Sequence, residues 1–293
     1  MNRLMTGIAL TASLVLTQSC SLSPKAEEKP AIAVTEQHEE QAINGMSHER
    51  HSTNNTDDEA SNASIQAKLT APNNIAPNTP VPLAIDIRAA DGKALKSFDT
   101  FHEELMHLIV VSDDFQFFRH LHPTYTQNGR FEVEARFPQP GGYTLFSDYK
   151  PTGQTEQVSL LKVQVPGNSS TTQKIDFNRN KTFADTKVKL AVSQATVKAG
   201  EEVSLVFNLQ DAASDRPITD LKPYMGERGH LVILRQSSPL TKDDYVHAHA
   251  VKDIPAGQVH FMTSFPQPGK YKLWGQFNRN GRIITADFWV NVV

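Results

Sequence analysis

Imidazole is the chemically informative side chain in this sequence. Of 293 residues, 11 are histidine and one is cysteine, so ligation of borderline metal ions falls to histidine. His38, His48 and His51 lie in a polar amino-terminal stretch and read as solvated residues; Met46-Ser47-His48 with His51 could capture metal only weakly. Six of the other eight form two matching sets, His107 with His120 and His122, and His230 with His247 and His249. On an extended strand a His-x-His pair puts both rings on one face, two residues' rise apart, and a third His from a neighbouring strand completes a three-nitrogen site. Around the second pair, Val246, Ala248 and Ala250 alternate with Tyr245, His247 and His249, which places the apolar residues inward and the histidines on the other face. Such ligands suit Cu(II), Zn(II) or Ni(II), with copper first in affinity and zinc the alternative. Met106, directly before His107, and Met225, five residues before His230, are candidate soft thioether ligands and equally candidate core filler. A structural reading stays open beside the metal one: histidines in a duplicated β domain can serve only to hydrogen-bond loop carbonyls. For His102 and His260, which have no counterpart in the other set, that structural reading comes first.

The elements that must hold these histidines occur twice. Gly129-Arg130-Phe131 through Leu145-Phe146 aligns without a gap on Gly257-Gln258-Val259 through Leu273-Trp274, sharing Phe-Pro-Gln-Pro-Gly at 137–141 and 265–269. Upstream, Met106-His107-Leu108-Ile109-Val110 matches Gly229-His230-Leu231-Val232-Ile233. Residues 66–166 and 183–293 are therefore two copies of one domain, with 167–182 as linker. Val81 to Ile87 and Val203 to Leu209 alternate apolar and polar with period two, and Gly- and Pro-containing turns separate the runs. About seven short strands per copy predict an all-β chain of two tandem immunoglobulin-like β-sandwiches, with a cupredoxin-like variant sharing the pattern. The paired acids Asp113-Asp114 and Asp243-Asp244 read as solvated loops.

Both copies resemble the YtkA-like group of bacterial extracytoplasmic β-sandwich domains. The elements that carry the likeness are Met106-His107-Leu108-Ile109-Val110, His120-Leu121-His122-Pro123 and Phe137-Pro138-Gln139-Pro140-Gly141-Gly142-Tyr143-Thr144-Leu145. In the second copy they are Gly229-His230, His247-Ala248-His249 and Phe265 to Leu273, with Ala250 where the first copy has Pro123. The resemblance implies a role in heavy-metal or copper handling in the cell envelope.

The remainder of the chain sets the context. Residues 1–19 combine one basic residue, a 13-residue uncharged apolar run and small residues before Cys20, a pattern similar to a bacterial lipoprotein signal. In that reading Cys20 carries a lipid anchor, and the protein is extracytoplasmic and held at the cell envelope, on the outer membrane where the cell has one. Residues 20–65 hold no aromatic side chain and carry nine acids against three bases, the composition of a disordered tether. The formal charge of the whole chain, -3, gives no basic stripe for nucleic acid. A single Cys excludes an internal disulfide, a Cys-based zinc cluster and a blue-copper site of the His₂Cys kind. His102-Glu103-Glu104-Leu105-Met106-His107 spaces its histidines five apart rather than four, so it is not the helical zinc-protease motif. With no nucleophile paired to a base, the expected function is a non-enzymatic envelope lipoprotein that buffers or delivers a transition metal. The alternative is a scaffold that binds an envelope protein or polysaccharide partner.

Overall fold

Met106-His107-Leu108-Ile109-Val110-Val111 is apolar at consecutive positions, which marks a strand covered on both faces rather than one. The computed structural model describes residues 65–168, 175–246, 248–252 and 254–293, apart from the side chain of His249. The signal segment, Cys20, the tether histidines and His247 lie outside the described residues. The first domain contains β1 (Gln66–Thr70), β2 (Pro80–Arg88), β3 (Phe98–Asp99), β4 (Met106–Ser112), β5 (Phe118–Leu121), β6 (Thr124–Gln127), β7 (Arg130–Arg136), β8 (Gly141–Pro151) and β9 (Gln157–Val165). The second contains β10 (Asn180–Phe183), β11 (Thr186–Val192), β12 (Glu202–Asp211), β13 (Leu221–Lys222), β14 (His230–Arg235), β15 (Tyr245–Val246), β16 (His249–Ala250), β17 (Gln258–Ser264), β18 (Gly269–Arg279) and β19 (Arg282–Val292). β10 opens inside the stretch read from sequence as linker.

One sheet of the first domain runs β1-β2-β7-β6, and the facing sheet runs β5-β4-β8-β9, with β3 on the far end of β8. The second domain repeats this as β10-β11-β12-β17-β16 against β15-β14-β18-β19. This is the immunoglobulin order of two antiparallel sheets. The repeated Phe-Pro-Gln-Pro-Gly tract is explained by the corner between β7 and β8, and its copy between β17 and β18. Tyr143 Oη donates to the Gln139 carbonyl at 2.8 Å and Tyr271 Oη to the Gln267 carbonyl at 2.7 Å, the tyrosine corner of immunoglobulin-like folds.

Each sandwich has its own core, built on Phe131, Phe137 and Tyr149 in the first and on Phe207, Phe261 and Phe288 in the second. A third apolar cluster joins the domains: Ile109, Phe118 and Phe146 meet Val232, Leu234 and Trp274. It accounts for β4 being buried at every position. Phe118 stacks on Trp274 with centroids 4.8 Å apart, and Tyr245 on Phe146 at 5.7 Å. Tyr245 is the repeat equivalent of Phe118, and Trp274 of Phe146, so the two contacts are the same contact exchanged, as a pseudo-two-fold axis between the domains requires. Phe118, Phe146, Tyr245 and Trp274 thus form the seam between the sandwiches. Among the described residues no helix is long and apolar enough to cross a membrane.

Candidate metal centre

The pseudo-two-fold seam brings histidines together. His107 on β4 points away from the core of its own domain because its neighbours Met106 and Leu108 point into it. β5 pairs antiparallel with β4, placing His120 opposite Ile109. His122 follows at the end of that strand. One ligating atom from each of His107, His120 and His122 lies within 4.8 Å of the others.

Hydrogen bonds fix what each ring offers. His107 Nε2 lies 3.0 Å from the Phe101 carbonyl, which can only accept. Nε2 therefore carries the proton, and Nδ1 of the neutral ring holds a lone pair. On His120, Nδ1 donates to Gln276 Oε1 across the domain seam at 2.8 Å, which leaves Nε2 with the lone pair. These two unprotonated nitrogens, His107 Nδ1 and His120 Nε2, face each other at 3.1 Å. Two arrangements relieve that opposition: a proton between them, with the Gln276 amide turned to donate, or a cation. His122 directs Nδ1 towards Glu104 Oε1 at 3.7 Å, and its Nε2 is buried without a hydrogen-bond partner. A carbonyl, an amide and a carboxylate behind three imidazoles are the outer partners that orient metal-binding rings. The donor set fits a borderline transition ion.

Burial keeps the rings neutral and hence able to ligate. It lowers His107 to about 4 against the partly restoring Phe101 carbonyl. His120 is pushed well below its ordinary value by burial and by the His230 ring, and His122 downward by burial, opposed by Glu104.

Of the second set, only the His230 side chain lies among the described residues. His230 on β14 turns into the same seam, its ring 4.8 Å from His120 and stacked on His107 at 6.3 Å. It is lowered to about 3, by burial first, and its Nδ1 is buried and unpartnered. His247 and the side chain of His249 lie outside the described residues. Met106 sits in the core of the first domain, on the face of β4 opposite His107. Met225 is buried and lines the cavity that also contains His230.

Residues outside the two matching histidine sets also stand in the seam. His102 stands 6.1 Å from both His107 and His230, at the tip of a tight turn whose central residues His102 and Glu103 have φ of 46° and 70°. Met225 and Gly226 form the equivalent turn, at 60° and 77°, and the match of Phe101–Glu104 to Tyr224–Glu227 was the available signal. Gln276 and Asp148 gave no local signal, because only docking of the domains makes them part of the seam. Asp244, read as a solvated loop acid, is instead fully buried: it accepts from Arg235 Nε at 2.8 Å, Ser237 Oγ at 2.6 Å and the Thr241 backbone N–H at 2.7 Å. His260 hydrogen-bonds Gln258 on β17, away from the seam.

The sequence profile of a family described as a domain of unknown function (DUF8832) matches residues 60–166 and again residues 181–293. No protein of curated function matches the chain. Among solved structures, it is similar to FdeC, an Escherichia coli adhesin (14% identity, TM-score 0.26, covering 78% of this chain and 66% of that one). Trypsin-activated alpha-2-macroglobulin from Escherichia coli is also similar (14%, 0.27, 78% and 16%), as is invasin, a bacterial integrin-binding protein (10%, 0.25, 78% and 39%). The chain spans less than two thirds of the length of each, and likeness at this level transfers neither ligand nor partner.

Proposed function

The chain belongs to the DUF8832 family, which it represents twice, and we propose that it is a non-enzymatic extracytoplasmic protein that binds a transition metal ion through His107, His120 and His122. Copper is the first candidate and zinc the alternative, from the affinity order for imidazole sites. One observation carries the reading: His107 Nδ1 and His120 Nε2 stand 3.1 Å apart beside a third buried nitrogen without a partner. A cation would satisfy all three at once. Buffering or delivery of metal at the envelope follows if Cys20 anchors the chain, an inference that rests on the signal-like residues 1–19 alone. Calorimetric titration of Cu(II) and Zn(II) into the full chain tests the binding. Saturable uptake that is weakened at least about 100-fold in His120→Ala/His122→Ala supports it, and uptake unchanged in that variant refutes it.

One feature favours a second reading, a scaffold for an envelope protein or polysaccharide with structural histidines. The outer face of the β1-β2-β7-β6 sheet carries an open depression of about 890 Å³, lined by Thr70, Pro82, Thr126, Arg130 and Glu132, with His122 on its wall. Capture of an envelope partner that is unaffected by chelator and by the histidine variant would select this reading over the first.

A further inference from the structure

Among the differences between the two sides of the pseudo-two-fold axis, one lies directly beside the strand histidines. β4 pairs with β8 so that His107 lies beside Asp148, and β14 pairs with β18 so that His230 lies beside Gln276. At equivalent positions the seam therefore carries an amide on one side and a carboxylate on the other. Gln276 is used: it accepts from His120. Asp148 is 4% exposed, and its Oδ1 has no hydrogen-bond partner. A carboxylate in that state is costly unless a cation or a proton compensates it. It borders a cavity of about 180 Å³ whose walls also include His230, His107, Met225, Glu156 and Glu227. Two residues with buried orphan atoms, Asp148 at Oδ1 and His230 at Nδ1, thus line one cavity. That volume admits an ion with several waters, each of which takes about 30 Å³.

We propose that the chain holds a second divalent cation between its two sandwiches, bound by Asp148 and His230, with the Met225 thioether in the wall. Oxygen with nitrogen selects a borderline ion such as Zn(II) or Cu(II). The site differs from the three-imidazole centre in having an anionic ligand and in drawing ligands from both domains. His107 of that centre also lines the cavity, but neither Asp148 nor His230 belongs to the three-imidazole set, so each site can be removed by its own substitution.

Equilibrium dialysis of the full chain against Zn(II) and a weak chelator, followed by elemental analysis, provides the test. Two tightly held ions are expected in the unaltered protein. Asp148→Asn should retain one, His120→Ala/His122→Ala should retain the other, and the combined variant should retain none. Two ions still held by Asp148→Asn, or a single ion that only the His120/His122 change removes, overturns the second site and leaves the first. A single ion removed only by Asp148→Asn does the reverse, and no tightly held ion at all overturns both. Should Asp148→Asn fail to fold, the ¹¹³Cd spectrum of the unaltered protein decides: two resonances support the second site, and one overturns it.

Discussion

His107 Nε2 donates to the Phe101 carbonyl, and that bond determines which nitrogen the ring presents to the seam. Similar decisions are made for His120 by Gln276 and for His122 by Glu104. The His-x-His face was legible in the sequence because a strand has period two. The partners that orient the rings were not legible, since Gln276 lies 156 residues from His120. Burial of these groups has a consequence for stability in the metal-free state. His107 titrates at about 4 and His230 at about 3 against an ordinary 6.5, and His120 and His122 are also lowered. Below pH 6.5 the unfolded chain binds protons that the folded chain refuses, so these groups remove stability as the pH falls. Asp148 acts in the opposite sense: burial and then Glu156 raise it from 3.8 to about 8, so the folded chain keeps a proton that the unfolded chain releases, and this contribution gains stability as the pH falls below 8. Four histidines outweigh one carboxylate. Metal-free protein should therefore be most stable near pH 6.5 and lose at least about 3 kcal/mol on acidification to pH 4, each tenfold change in proton affinity being worth about 1.4 kcal/mol. Urea unfolding in chelator at a series of pH values measures this, and a midpoint that is flat from pH 6.5 to 4 would contradict it.

At the level of elements, strand period and turn residues made most of the fold readable. The Phe-Pro-Gln-Pro-Gly tract announced a corner, and its tyrosine closes that corner in both domains. What misled was local polarity. Asp243-Asp244 looks like a loop on composition, yet Asp244 caps the 3₁₀ turn Lys242–Asp244 ahead of β15 and ties it to Arg235 on β14. Asp244→Ala would strand the Arg235, Ser237 and Thr241 donors, so a loss of about 3 kcal/mol is expected from charged hydrogen bonds left unmade. Chemical denaturation checks this, and a change below about 0.5 kcal/mol would show the acid to be ornamental. The two copies also diverge in compensating ways. Gly229 takes the place of Met106, and a Cβ there would meet the Phe277 ring at 2.8 Å, so the aromatic ring of β18 fills the room that the methionine side chain fills in the first domain.

For the molecule as a whole, duplication was legible and docking was not. The run of consecutive apolar residues on β4 and the surplus of aromatics before His120 and after Gly269 were its traces, but a second apolar face is indistinguishable from core until a partner is placed on it. The seam depends on Trp274, 3% exposed and stacked on Phe118. Trp274→Ala should cost about 3–5 kcal/mol and also weaken metal uptake, because it loosens the strand that carries Gln276. Calorimetric unfolding together with metal titration on one variant checks both, and intact affinity would confine the centre to the first domain. The most direct test of the centre itself is the imidazole ¹⁵N spectrum of the full chain with two equivalents of Zn(II). Coordination shifts at His107 Nδ1, His120 Nε2 and His122 Nε2, with the opposite nitrogens still protonated, are the expected result; unshifted resonances at those three nitrogens would contradict a metal centre there.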